Sequence, residues 1–280
     1  MNPFCLPDSH LEQLLQDDAP CGDATTHALA IGQRPGRMVF RARYEMVVCG
    51  SEEALRLGEL RGLQALGAIV ESGTRLPAGA EILSLQGDAA ALHLVWKTAQ
   101  TLMEYLSGIA TSAADIVAAA HLADPAASVV CTRKNFPGTK QATMKAVLCA
   151  GASPHRLSLS ETLLVFAEHR AFLGDEAPAA SLARLRRQWP ERALVVEVAS
   201  EAEALSWAAA GADILQLEKW SPAAVDRLHR QIPTTRLAAA GGVNAGNAAA
   251  YVEAGALILV SSAPYFAAPR DVAVSIAPLA

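Results

Sequence analysis

From Val129 onward the chain repeats one unit: a short apolar run, then residues that open a turn or a helix. The runs lie at 129–131, 157–166, 193–198, 214–217, 237–240 and 257–260. Apolar runs of this length between turn signals read as strands buried on both faces. Helical patterns separate the last four. Ser200 and Glu203 have capping-box spacing, and Gly211 closes that helix. Ser221-Pro222 is an N-cap followed by proline at the first helical position, and Gly255 closes the next helix. Strands alternating with helices make a parallel sheet, and repeated units curl it into a barrel. About six strands can be counted, which predicts a parallel α/β barrel over residues 111–265, either an incomplete parallel α/β barrel or a full eight-stranded one.

In a βα barrel the residues at the carboxyl ends of the strands face the active site. Here these are Arg133 and Lys134, Phe166 to Glu168, Glu197, Glu218 and Lys219, Gly241 and Gly242, and Ser261 and Ser262. Around the first strand end, Arg133, Lys134, Lys140 and Arg156 gather positive charge in a chain whose net charge is -5. Arginine grips carboxylate or phosphate with a planar fork, and lysine adds a point charge, so the cluster points to an anion. Glu197 and Glu218 end successive apolar strands at equivalent places. Gly241-Gly242 follows a strand and precedes a helix, where backbone N–H groups can approach a phosphate, and Ser261-Ser262 follows the next strand. A basic wall, two carboxylates and a phosphate loop suit a sugar carrying several phosphates together with Mg²⁺. That ion takes oxygen ligands and often reaches protein through one or two carboxylates plus substrate phosphates.

Composition narrows the classes. The 280 residues, 52% of them hydrophobic, suffice for one large domain or two smaller ones. The negative balance argues against nucleic-acid or anionic-membrane partners. Cysteines 5, 21, 49, 131 and 149 are scattered without a CxxC, as reduced thiols in a cytoplasmic protein would be. The N-terminus lacks the pattern of a signal peptide, and no run of about 20 apolar residues predicts a membrane span.

Residues 1–110 predict a smaller α/β domain, sandwich-like, with the tail 266–280 packing beside it. A helix after an Asp8/Ser9 cap carries Leu11, Leu14 and Leu15, and an acidic loop follows through Gly22-Asp23. Strands are expected at 38–44, 68–71 and 81–85, and a helix capped by Ser51. Residues 92–121 form one long helical region that Gly108 is positioned to kink.

The stretch 129–169 carries a resemblance. Thr132-Arg133-Lys134, Pro137-Gly138, His155-Arg156-Leu157 and Leu159 to Thr162 resemble the quinolinate phosphoribosyltransferase family, nicotinate-nucleotide pyrophosphorylases, and within it the ModD branch associated with molybdenum transport. Leu106 to Thr111 and the Gly22-Asp23 loop extend the likeness over nearly the whole chain. The resemblance implies a type II phosphoribosyltransferase fold, phosphoribosyl pyrophosphate (PRPP) with Mg²⁺, and a homodimer with shared sites. It implies Glu197 and Glu218 on the ribose hydroxyls and Mg²⁺, and Lys134 beside them in catalysis. It also implies Gly241, Gly242, Ser261 and Ser262 on phosphate, and Arg133, Lys134, Lys140, His155 and Arg156 on the acceptor's carboxylate and nearby phosphate.

Three departures bear on specificity. The family carries a lysine where this chain has Phe166, a serine where it has Ala240, and an aspartate where it has Glu218. Losing the lysine removes a charge-assisted contact worth roughly 1.5–3 kcal/mol. The expected acceptor is therefore an aromatic N-heterocycle with one carboxylate or none, stacked on Phe166, rather than quinolinate. Two other readings stay open at this point. One is a non-catalytic, regulatory ligand-binding paralogue linked to molybdenum transport. The other is a barrel aldolase or isomerase using Lys134.

Overall fold

The computed structural model describes residues 6–279; Cys5 lies outside them. The chain divides into two compact units. One comprises residues up to Ala114, Phe136–Gly151 and the chain from Pro264; the other comprises Asp115–Asn135 and Ala152–Ala263.

The second unit is built on seven strands: Ser128–Cys131 (β1), Ser153–Pro154 (β2), Leu163–Val165 (β3), Leu194–Val198 (β4), Ile214–Glu218 (β5), Arg236–Ala240 (β6) and Ile258–Ser261 (β7). Their order is β2-β1-β7-β6-β5-β4-β3, every pairing parallel. This is the cyclic order of a barrel opened between β2 and β3. The incomplete barrel is thus observed, and the site of the opening corrects one expectation. Of the run 157–166, predicted as a strand, only Leu163–Val165 joins the sheet. Ahead of it the chain folds on itself, with Glu161 accepting the N–H of Leu157, so it offers no ladder to β2.

Helices Glu201–Ala209 and Pro222–Gln231 begin where their caps dictate. Ser200 Oγ accepts from Glu203 N at 3.3 Å, and Ser221 Oγ from Ala224 N at 3.3 Å. The reciprocal half of the expected capping box is displaced by one residue: Glu203 reaches the N–H of Ala199. Alternation along β5 sends Leu215 and Leu217 to one face, both fully buried, and Ile214, Gln216 and Glu218 to the other. Cross-strand register places Ala238 and Ala240 beside Gln216 and Glu218. Ala238, Ala240 and Val260 pack with Val130, Ile214 and Ile258 as the floor of the half-barrel. Small residues in that floor leave space above it.

The first unit carries a four-stranded antiparallel sheet in the order Val272–Pro278, Pro35–Ala42, Glu81–Asp88, Gln64–Ala65. The fourth strand is Gln64–Ala65 rather than 68–71, because the chain turns at Gly67 (φ 81°). Val70 N then makes a single 3.0 Å bond to Ile82 O. Helix Ser51–Glu59 is capped by Gly50, not by Ser51, whose hydroxyl bonds to Val70 O instead. Helix Asp8–Asp18 likewise starts after Pro7, and no side chain caps it.

Ala89–Ala123 is one continuous helix. Gly108 does not break it: a Cβ there would lie 2.5 Å from the carbonyl oxygen of Ala268, so glycine serves close packing. By length and hydropathy the helix could cross a membrane, but half of its most apolar window is buried in protein. Leu92, Val95, Ala99, Met103, Leu106, Ala110 and Ala113 form the buried stripe of a core helix.

Candidate active site

Because the seven strands are parallel, their carboxyl ends open on one side of the sheet. A cavity of roughly 830 Å³ lies there, within the range of small-molecule sites. Its lining comes from every strand end. Thr132, Arg133 and Lys134 follow β1, His155 and Arg156 follow β2, and Phe166, Glu168 and His169 follow β3. Glu197 comes from β4, Gln216, Glu218 and Lys219 from β5, Gly241 and Gly242 from the end of β6, and Ser262 from the end of β7.

The basic side is electrostatically strained. Burial and the charge of Arg133 both pull Arg156 below the ordinary guanidinium range. Neither arginine makes an ion pair among the described residues, and their mutual repulsion favours an incoming anion. Arg156 also places its guanidinium carbon 5.4 Å from the centre of the Phe166 ring, a cation–π distance. His169 packs against the same ring, with centroids 5.8 Å apart, and its Nδ1 accepts the N–H of Phe166 at 3.0 Å. Phe166 is thereby held in place by contacts to both Arg156 and His169. Burial, and then Arg156, push the half-buried His155 imidazole down to about 4. It is neutral at neutral pH and adds no charge to the basic wall.

On the acidic side, Glu197 is raised above its ordinary value by burial, while Gln216 counteracts and Glu218 and Glu168 add to the rise. Gln216 Nε2 donates to Glu197 Oε2 at 2.7 Å. Its own Oε1 is buried and has no partner among the described residues. Arg170 holds the strand end from behind, donating to the Glu197 carbonyl at 2.6 Å and pairing with Glu203 at 3.3 Å.

The glycine turn has a specific mechanical cause. At Gly241 (φ 82°) a Cβ would lie 2.6 Å from Lys219 Cγ and 2.8 Å from Glu218 Oε1. Lys219 itself has φ 61°, a left-handed conformation shared among non-glycine residues only with Ala30 in the described chain. Such a conformation costs about 1–2 kcal/mol. It is held by the bond from Lys219 N to Ala240 O, 2.8 Å.

Of the residues singled out from sequence, Arg133, Lys134, His155, Arg156, Phe166, Glu197, Glu218, Gly241, Gly242 and Ser262 line this one cavity. Ser261 does not. It is buried, and its hydroxyl donates to Val243 O at 2.7 Å. Lys140 begins the helix Lys140–Cys149 of the other unit and is not a lining residue. Gln216 and Arg170 were missed. A polar residue two positions before Glu218 must share its face, so Gln216 was legible in principle. Nothing local marks Arg170.

A parallel half-barrel with a basic wall, paired carboxylates and a glycine turn at its strand ends is the arrangement of a pentosyltransferase. The family described as quinolinate phosphoribosyl transferase matches this chain with both of its domains, the N-terminal over residues 23–107 and the C-terminal over 109–275. The chain belongs to that family. It is 47% identical over 249 residues to a protein of Rhodobacter capsulatus named as a pyrophosphorylase, ModD, covering 88% of this chain and 96% of that one. A nicotinate-nucleotide pyrophosphorylase (carboxylating) of Methanothermobacter thermautotrophicus is 28% identical over 257 residues, covering 89% and 91%. The fold is shared with the nicotinate-nucleotide pyrophosphorylase of Francisella tularensis, with a TM-score of 0.87, 22% identity and 98% of each chain covered.

Proposed function

We propose that the protein transfers the phosphoribosyl group of PRPP to a ring nitrogen of an aromatic N-heterocycle bearing one carboxylate or none, releasing pyrophosphate. One observation carries the reading. A single cavity sets Arg133, Lys134 and Arg156 against Glu197 and Glu218, with the Gly241-Gly242 turn completing it. In the reaction the bond from the anomeric carbon to the pyrophosphate oxygen breaks, its electron pair leaving with the pyrophosphate. The ring nitrogen's lone pair forms the new bond. Positive charge develops on the ribose ring, and fixed carboxylates stabilise it where water is excluded. Glu197 and Glu218 fill that role, with Gln216 fixing the direction of Glu197. Lys134 and Arg133 meet the charge of the leaving group.

Two carboxylates opening on one cavity, with Glu197 raised partly by Glu218, form an oxygen site that a cation would relieve. They fit Mg²⁺ held jointly with substrate oxygens, and when bound the ion would offset charge on the pyrophosphate. A cytoplasmic homodimer is part of the same proposal, on the strength of the family resemblance.

Phe166 and Arg156 decide the acceptor. The ring provides a stacking face and the guanidinium one carboxylate grip; no lysine stands at 166 for a second carboxylate. The test is a panel of mono- and dicarboxylated pyridines with PRPP, on wild type and Phe166→Lys. Wild type should prefer acceptors with at most one carboxylate. Phe166→Lys should gain about ten- to hundredfold in kcat/KM for quinolinate, the worth of one charge-assisted contact. Efficient quinolinate turnover by wild type would sink the reading.

A further inference from the structure

We infer that Lys219 is a phosphate-binding residue: its ammonium, carried on the left-handed turn after β5, grips the phosphate monoester of the sugar ligand at the Gly241-Gly242 turn. The inference rests on the function proposed above and deepens it.

Three observations converge on Lys219. Its backbone holds a conformation (φ 61°) that glycine would adopt without strain, yet the chain keeps a lysine there. Strain of this kind persists where the surroundings over-determine it, often at ligand sites. The stem of the side chain lies over Gly241, since a Cβ on Gly241 would fall 2.6 Å from Lys219 Cγ. The side chain therefore runs along the turn that would cradle the phosphate, and it lines the cavity. Finally, Lys219 is exposed and makes no ion pair or side-chain hydrogen bond among the described residues.

Charge balance supplies the reason. The lining cations Arg133, Lys134 and Arg156 all follow β1 and β2, at one edge of the strand order. The strands β3, β4 and β5 bring Glu168, Glu197 and Glu218 to the cavity. A phosphate dianion at Gly241-Gly242 sits next to the acids, and like charges repel. Lys219 is the cation at that end of the cavity. The pyrophosphate, by contrast, falls to the arginine side.

Calorimetric titration of wild type, Lys219→Gly and Lys219→Arg with PRPP, ribose 5-phosphate and inorganic pyrophosphate tests this, alongside thermal melting. Lys219→Gly should melt higher, because the strain is relieved. It should lose about tenfold or more in affinity for ribose 5-phosphate and PRPP while binding pyrophosphate as wild type does. Lys219→Arg should keep ribose 5-phosphate binding. If wild type binds these ligands and Lys219→Gly binds ribose 5-phosphate equally well, the inference is overturned and the proposed function stands. Equal losses for ribose 5-phosphate and pyrophosphate would also overturn it, since the lysine would then act on the cavity at large. If wild type binds neither PRPP nor ribose 5-phosphate, the proposed function falls and this inference with it.

Discussion

His155 shows how a residue's neighbours change what its type suggests. The family resemblance puts it with Arg156 on an anion; in the structure burial and that same arginine keep it neutral, with a pKa of about 4. The sign of its effect on stability follows. The unfolded chain takes up a proton below about 6.5 and the folded chain does not. The contribution of His155 is thus fully present above about 6.5 and is lost as pH falls towards 4. Glu197, whose folded value is raised, acts oppositely: its contribution is present at low pH and is lost as pH rises through its folded value. Comparison with a variant isolates the histidine. Thermal melting from pH 7.5 to pH 5 should fall less steeply for His155→Asn than for wild type. Parallel curves would show that the imidazole is not held neutral. Phe166 teaches the complementary lesson. Its identity was legible in the sequence as a lost lysine, but its engagement by Arg156 and His169 was not, because those contacts depend on how the open edge of the barrel folds.

At the level of elements, strands and their ends were the most legible features. Short apolar runs closed by a charged or glycine residue have few other uses, and β1, β4, β5, β6 and β7 lie where the runs are. The run 157–166 failed because Leu157 and Leu159 are largely exposed; leucines there do not enter the sheet. Helix Lys140–Cys149 exposes a second gap. Lys145 is fully buried in it, bonding to Glu52 at 2.9 Å and to Glu53 on helix Ser51–Glu59. No pattern in the sequence joins residues more than ninety positions apart, so the ion cluster was invisible. Removing the lysine leaves the buried Glu53 carboxylate without its counter-charge, which costs about 3–5 kcal/mol. Lys145→Met should lower stability by that amount in urea unfolding. A loss below about 1 kcal/mol would mean that the cluster is hydrated rather than buried.

For the molecule as a whole, the sequence made the family and the charged lining of the cavity legible, since both rest on residue types at strand ends. The point at which the barrel opens was not, since it depends on which strand fails to pair. Nor was the place of residues 136–151, which follow β1 in sequence yet belong to the unit that carries the antiparallel sheet, and Lys140 goes with them. The cavity sets Arg133, Lys134 and Arg156 at one edge of the strand order and Glu197 and Glu218, with Lys219, on other strands, and the account's central claim is that PRPP spans them. Calorimetric binding of PRPP with and without Mg²⁺, on wild type and Glu218→Gln, tests that claim most directly. The account predicts Mg²⁺-dependent binding by wild type, weakened about tenfold or more in the variant. Failure of wild type to bind PRPP, or equal binding by Glu218→Gln, would contradict it.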